Sequence, residues 1–395
     1  MDCTLQPPTR YRKRFTARLR SGLVNTWQRL LSAALFVLIS TLFCALTAVA
    51  DWSYFRGNPA MTGAVAHALP HPLEERWQFR TGDAIEGAPA IVGQQVFVAS
   101  LDKHLYALEL PTGKLLWKTR LGPMKAAPTV HKNLVFIGDL EGTFYCLDAT
   151  TGKIRWKFAA DGEIHAAANI YNDHIIFGAH DSQLYCLNSE GKKIWSVSID
   201  GPINAAAPIH DHRAFATGCS DGVVHIVDVR TGKEIGSIAL GGETVSTPAV
   251  VGNRLIVTMI SHQIVVADIQ KRDKLWTFEP PRRAMPFYSS PAVAQNIVVA
   301  GSRDRKVYAL DITTGKKLWD FATEGHVDAS PVIAADKVYV GCLSRDGHFY
   351  VLDLKTGQKL QEILLDAPIT SSAGIGSDCL CVGTDRGVLY CLGKK

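Results

Sequence analysis

The stretch "VYALDITTGKKLWDF", residues 307–321, decides the fold. It reads as two short strands of alternating character, joined by a tight Thr-Gly-Lys turn in which Gly315 supplies a positive φ. Its first half recurs around Tyr106, Tyr145, Tyr185, His225, Val265, Tyr308, Tyr350 and Tyr390, at successive spacings of 39, 40, 40, 40, 43, 42 and 40 residues. Each unit opens with a small-residue run that usually ends in Pro, as in "EGAPAIV" or "DASPVIA", followed by a β-branched run such as "QVFVAS". Four short strands per repeat, with no helical stretch between them, predict an all-β chain: an eight-bladed β-propeller of four-stranded antiparallel blades.

The outer strands carry a second regularity. Trp follows the Tyr position by eleven residues at Trp117, Trp156, Trp276 and Trp319, and by ten at Trp195; Gly236 and Gln361 replace it elsewhere. A large ring with an N–H donor suits the widening wedge between blades, so these residues and Trp77 are expected to dock one blade on the next. Eight Tyr strands are followed by only seven Trp-type tails, because the chain stops soon after "VLYCLGKK". The missing eighth is "LEERWQFRTG", residues 73–82, which precedes the first Tyr strand. It is expected to form the outer strand of the last blade and close the ring, removing open strand edges.

With those residues placed, the chain resembles the pyrroloquinoline-quinone (PQQ)-repeat propellers. Their signature is legible in "VYALDITTGKKLWDF" (307–321) and "FYCLDATTGKIRWKF" (144–158), and the resemblance covers residues 73–395. "DWSYFRGNPAMTG" (51–63) is also similar to the mature start of secreted members. The family includes quinone-dependent dehydrogenases and a non-catalytic, BamB-like branch of barrel-assembly propellers. For the enzymes the resemblance implies PQQ and Ca²⁺ held by Glu, Asn and Asp ligands, a further Asp as base, and often a disulfide between adjacent cysteines. Adjacent cysteines are absent, Cys379-Leu-Cys381 being the nearest approach, and no repeat is long enough to add a deep wall around a cofactor. The expectation is therefore an exported, non-catalytic scaffold without cofactor, binding a protein partner of the cell envelope. The alternatives are a PQQ-dependent alcohol or sugar dehydrogenase, and a carrier or sensor of a small ligand at the central channel. No catalytic motif such as Gly-x-Ser-x-Gly or His-Glu-x-x-His supports another enzyme class.

Charge and leader agree with export. Residues 1–50 hold seven basic side chains and one acid; the remaining body has 35 basic and 36 acidic groups, which gives no electrostatic support for nucleic-acid binding. The leader ends in an apolar run finishing at Ala48-Val49-Ala50, so residues 1–50 are expected to be a signal peptide cleaved after Ala50, or else an anchor over residues 30–50. Phe43 stands where a lipobox needs a small residue, so Cys44 is not expected to carry lipid. Residues 51–72 are expected as a linker and 73–395 as the propeller, a monomer touching membrane only through its N-terminal segment if that segment is uncleaved. The seven cysteines of the body replace small apolar residues at repeated strand positions and are expected as buried thiols.

Two places depart from the repeat. Three residues before each unit's Pro or its equivalent stand Glu86, Lys125, His165, Ala205, Val245, Tyr288, Asp328 and Thr370, followed by small residues. If the small residues let the inner strands crowd the axis, then Glu86, Lys125, His165, Tyr288, Asp328 and Thr370 ring one mouth of the channel as a candidate ligand site. The second departure is "EPPRRAMPFYSS" (279–290), where Arg282, Arg283, Met285 and Phe287 have the composition of a protein-contact surface. It projects as a partner-binding loop or folds back over the channel. The histidines, among them His165, His180, His210 and His212, fall in different units or hairpins and are expected as solvated loop residues, with no metal site.

Overall fold

The computed structural model describes residues 1, 52–281 and 285–395; the leader, with its expected cleavage site and anchor, and Arg282 and Arg283 lie outside the described residues. Eight antiparallel sheets follow one another along the chain, their inner strands beginning at Ala90, Thr129, Asn169, Ile209, Ala249, Ala292, Val332 and Gly374. They are blades 1 to 8. In blade 1 the strands are Ala90–Val92, Gln95–Ala99, His104–Glu109 and Leu115–Arg120. The two central strands of each blade are sandwiched on both faces, so they read as near-continuous apolar runs and are almost wholly buried. The outermost strand has one face to water and alternates, as in "LLWKTR".

Blade 8 is composite. Glu74–Arg80 pairs antiparallel with Val388–Gly393, with Trp77 opposite Cys391 and Gln78 opposite Tyr390. The lone tail thus supplies the outer strand of the last sheet. Arg76 fastens it further, donating to the Lys394 carbonyl at 2.9 Å and to the Asp378 carboxylate at 2.7 Å.

The joints between blades repeat as closely as the blades do. Each Trp indole donates to a carbonyl of the following blade: Trp77 to Leu110, Trp117 to Ala149, Trp156 to Ser189, Trp195 to Val229, Trp276 to Ile312 and Trp319 to Leu354, at 2.7–3.1 Å. The same indole lies flat on the turn glycine of that blade. A Cβ on Gly357, for example, would fall 2.5 Å from the Trp319 ring, and its φ of +71° already favours glycine. The two exceptions are filled differently. Arg272 occupies the space left by Gly236 and donates to the Ile235 carbonyl at 2.8 Å. Gln361 exchanges two hydrogen bonds with the backbone of Leu73, accepting from its N–H at 2.8 Å and donating to its carbonyl at 2.7 Å.

Residues 52–67, within the stretch expected as a linker, make a lap of the inner strands. The carbonyls of Trp52, Ser53, Pro59, Ala60, Thr62 and Gly63 accept from the backbone N–H of Ile91, Val130, Ile209, Val250, Val293 and Ile333, at 2.8–3.1 Å. In blade 3 the Asn169 side chain reaches the Pro59 carbonyl instead, and in blade 8 His67 meets the Gly376 carbonyl. Ala64–Val65 runs parallel to Val332–Ala334 as a fifth strand of blade 7. The inner strands are sheet edges, and this segment satisfies donors that would otherwise face the axis.

The interior of the lap is apolar except for one cation. Met61 is fully buried against Ala88, Ala127, Ala167 and Ala206, with Phe55 beside it. Arg56 is also fully buried; its Nη2 bridges the carbonyls of Pro291 and Pro331 at 3.0 and 2.7 Å. Burial lowers its pKa to about 9, which still leaves it charged at neutral pH. Six of the seven body cysteines are buried, and Cys219 is half-buried.

Candidate functional site

Above the lap lies a cup of about 520 Å³. Its walls are the small residues that open each repeat, among them Ala88, Ala127, Ala167 and Ser290, and Phe55 of the N-terminal lap lines it. Glu86, Lys125, His165, Tyr288, Asp328 and Thr370 all line it, together with Asn204, Val245 and Arg303. The small residues let the inner strands converge, and each longer side chain stands at the start of its strand. In six of the blades the strand residue five places further on bonds to the lap: Ile91 after Glu86, Ile209 after Asn204, Ile333 after Asp328. The polar ring and the lap therefore sit at opposite ends of the inner strands, and the cup is blind.

That spacing corrects one ring position. In the fourth unit the Pro stands one residue later than elsewhere, so counting back from Pro208 reaches Ala205, whereas the structure puts Asn204 in the ring. It also moves one expected contact residue. Phe287 is fully buried between blades 5 and 6, against Tyr308, and is not offered to a partner. It is the sixth copy of a core position filled elsewhere by Ile85, Met124, Ile164, Ile203, Thr244, Val327 and Ile369, all buried. The backbone around it is pinned as well: the Phe287 N–H donates to the Met259 carbonyl, and the Pro286 carbonyl accepts from Arg303. Met285 remains exposed.

The charges of the ring are engaged by neighbours. Lys125 meets Glu86 at 3.1 Å across blades 1 and 2. Arg303 grips Asp328 with Nε and Nη2, at 3.0 and 2.7 Å, and stacks on the Tyr288 ring at 3.9 Å. That bond raises the Arg303 pKa further. Asp385 accepts from the Thr370 hydroxyl at 3.2 Å; burial raises its pKa, and the charges of Glu86 and Asp328 push the same way. Arg303, His180 and Asp385 form a second tier that the repeat could have disclosed. Each stands five residues before its Tyr-strand anchor, in the turn that faces the mouth.

The histidines divide. His165 and His180, expected as separate loop residues, belong to one blade and stack at 4.1 Å with an interplanar angle of 13°. Glu163 accepts from His165 Nε2 at 2.7 Å, and its carboxylate lies 3.9 Å from His180 Nδ1. Asn204 Oδ1 accepts from His180 Nε2 at 2.7 Å. Burial lowers the His165 pKa against the pull of Glu163, while the bond to His165 lowers that of Glu163. His210 stays apart, beside Asp211.

A calcium-bound quinone needs oxygen ligands converging on one point, six to eight for calcium. The carboxylates here do not converge so. Glu86 and Asp328 stand on blades 1 and 7, each bonded to its own cation, and Asp385 is held by Thr370.

Comparison with known proteins gives a family and a fold. The family model described as outer membrane protein assembly factor BamB matches residues 62–128, 102–282 and 275–395. BamB from Moraxella catarrhalis superposes with a TM-score of 0.71 at 20% identity, over 82% of this chain and 98% of that one. The quinohemoprotein alcohol dehydrogenase from Comamonas testosteroni gives 0.74 at 12% identity, over 88% and 81%. A europium-containing methanol dehydrogenase gives 0.69 at 14% identity, over 87% and 98%. Among curated proteins none matches.

Proposed function

Starting from the fact that the chain belongs to the PQQ-repeat propeller family of the outer membrane protein assembly factor BamB, we propose that it is a non-catalytic binding scaffold of the cell envelope. Its recognition face is the mouth of the cup. The observation that carries this reading is the pairing of the ring charges. Glu86–Lys125 and Asp328–Arg303 are neutralised in place, so the mouth offers a fixed pattern of polar groups rather than a free acid, base or oxygen cage. Complementary charge patterns of this kind set specificity between partners. A rigid rim of this kind suits a peptide segment of an envelope protein, and the exported leader is part of the same proposal.

The volume favours one further reading. A cup of about 520 Å³ is within the range that takes small organic ligands, so a carrier of such a ligand is the second candidate. Neither reading involves quinone chemistry. Purified protein mixed with PQQ and Ca²⁺ is expected to give no bound-quinone absorption and no dye reduction with alcohols or sugars. A stoichiometric quinone spectrum with substrate-dependent turnover would overturn the scaffold assignment.

A further inference from the structure

We propose that Glu163, His165 and His180 form a binding site for a divalent transition-metal ion of the zinc type, on the rim of the cup. Three observations meet there. First, one ligand atom from each of the three lies within 4.8 Å of the other two, which among the described residues is the one grouping of its kind. Tetrahedral Zn²⁺ with nitrogen and oxygen ligands at about 2.0–2.2 Å sets its donors roughly 3.4 Å apart. Glu163 stands 2.7 Å from His165 Nε2 and 3.9 Å from His180 Nδ1, and the two rings are stacked at 13°, so the His165 ring has to turn out of the stack to bring both nitrogens onto one ion, a rotation open to partly exposed side chains.

Second, the tautomer of one ligand is already fixed. An amide oxygen only accepts, so the Asn204 bond requires the His180 proton on Nε2 and leaves the Nδ1 lone pair toward Glu163. Ligating histidines are usually held through their other ring nitrogen in this way. Third, the donor set is selective. Two imidazoles and one carboxylate suit zinc, cobalt, nickel or copper, whereas calcium and magnesium take oxygen. On binding, His165 gives up its Nε2 hydrogen bond to Glu163; the ring proton moves to Nδ1 and the Nε2 lone pair takes the ion. Lys125, the cation that acts on both Glu163 and His165, is itself bonded to Glu86.

Three protein ligands leave a fourth position open. Because His165 lines the cup, a donor carried by a partner or small ligand can complete the shell from inside it. The metal site stands on its own geometry, whether or not the mouth is the recognition face.

Titration of the full chain with Co²⁺, followed by visible absorption, and with Zn²⁺ by calorimetry tests this. One saturable equivalent is expected, with affinity reduced at least tenfold in His165→Ala and His180→Ala and unchanged in His210→Ala. Glu163→Gln, at a more exposed residue, repeats the test where a histidine variant melts early. Asn204→Ala should weaken binding about tenfold by releasing the His180 ring. Absence of a one-to-one site, or equal affinity in the His165→Ala/His180→Ala double variant, overturns the proposal.

Discussion

Trp319 shows how one side chain joins two blades. Its indole N–H reaches the Leu354 carbonyl at 2.9 Å, and its ring covers Gly357 of the next turn. Trp319→Ala removes a buried aromatic and leaves that turn uncovered, for a loss of about 3 kcal/mol in chemical denaturation. Gly357→Ala strikes the same joint from the other side, through strain at positive φ and collision with the ring. A loss below about 1 kcal/mol in both would mean that the Trp positions are not what holds the blades together. The tryptophans were legible because a large aromatic repeated at a fixed offset has few structural uses. Phe287 was not, because in a single loop it reads as a contact residue. Only lining it up with Ile85, Ile164 and Val327 shows a core position.

Two N-terminal elements do different work on the ring. The strand Glu74–Arg80 completes blade 8, and the segment 52–67 closes the base of the cup. A chain beginning at residue 83 lacks both and is expected to lose protease resistance across the whole propeller. Deleting residues 52–67 while keeping the strand should leave the ring closed but lower its melting temperature, since the inner-strand donors return to water. Persistence of full resistance in the chain from residue 83 would contradict closure by the strand. The closing strand was legible by counting: eight Tyr strands and seven tails leave one place for "EERWQFR". The lap was not, because its main bonds run through backbone carbonyls of residues such as Ser53 and Ala60, whose side chains announce nothing.

At the scale of the whole molecule, a repeat builds a rigid frame and leaves variation to the mouth. The frame was readable from spacing alone, since every unit must bury the same strands. Much of the ring was readable too, as a varied residue ahead of an invariant small run. The pairing of His165 with His180 was not, because the two reach each other only when the inner strand and the next turn fold back together. On the scaffold proposal, what the molecule does follows from which face meets a partner. The most direct measurement places a photo-crosslinking benzoylphenylalanine at Val245, in the cup wall, or at Lys316, in a turn at the opposite end of the blades. In intact envelopes, a recognition face at the mouth predicts a discrete protein adduct from position 245 and none from 316. An adduct from 316 alone, or none from 245, would contradict it.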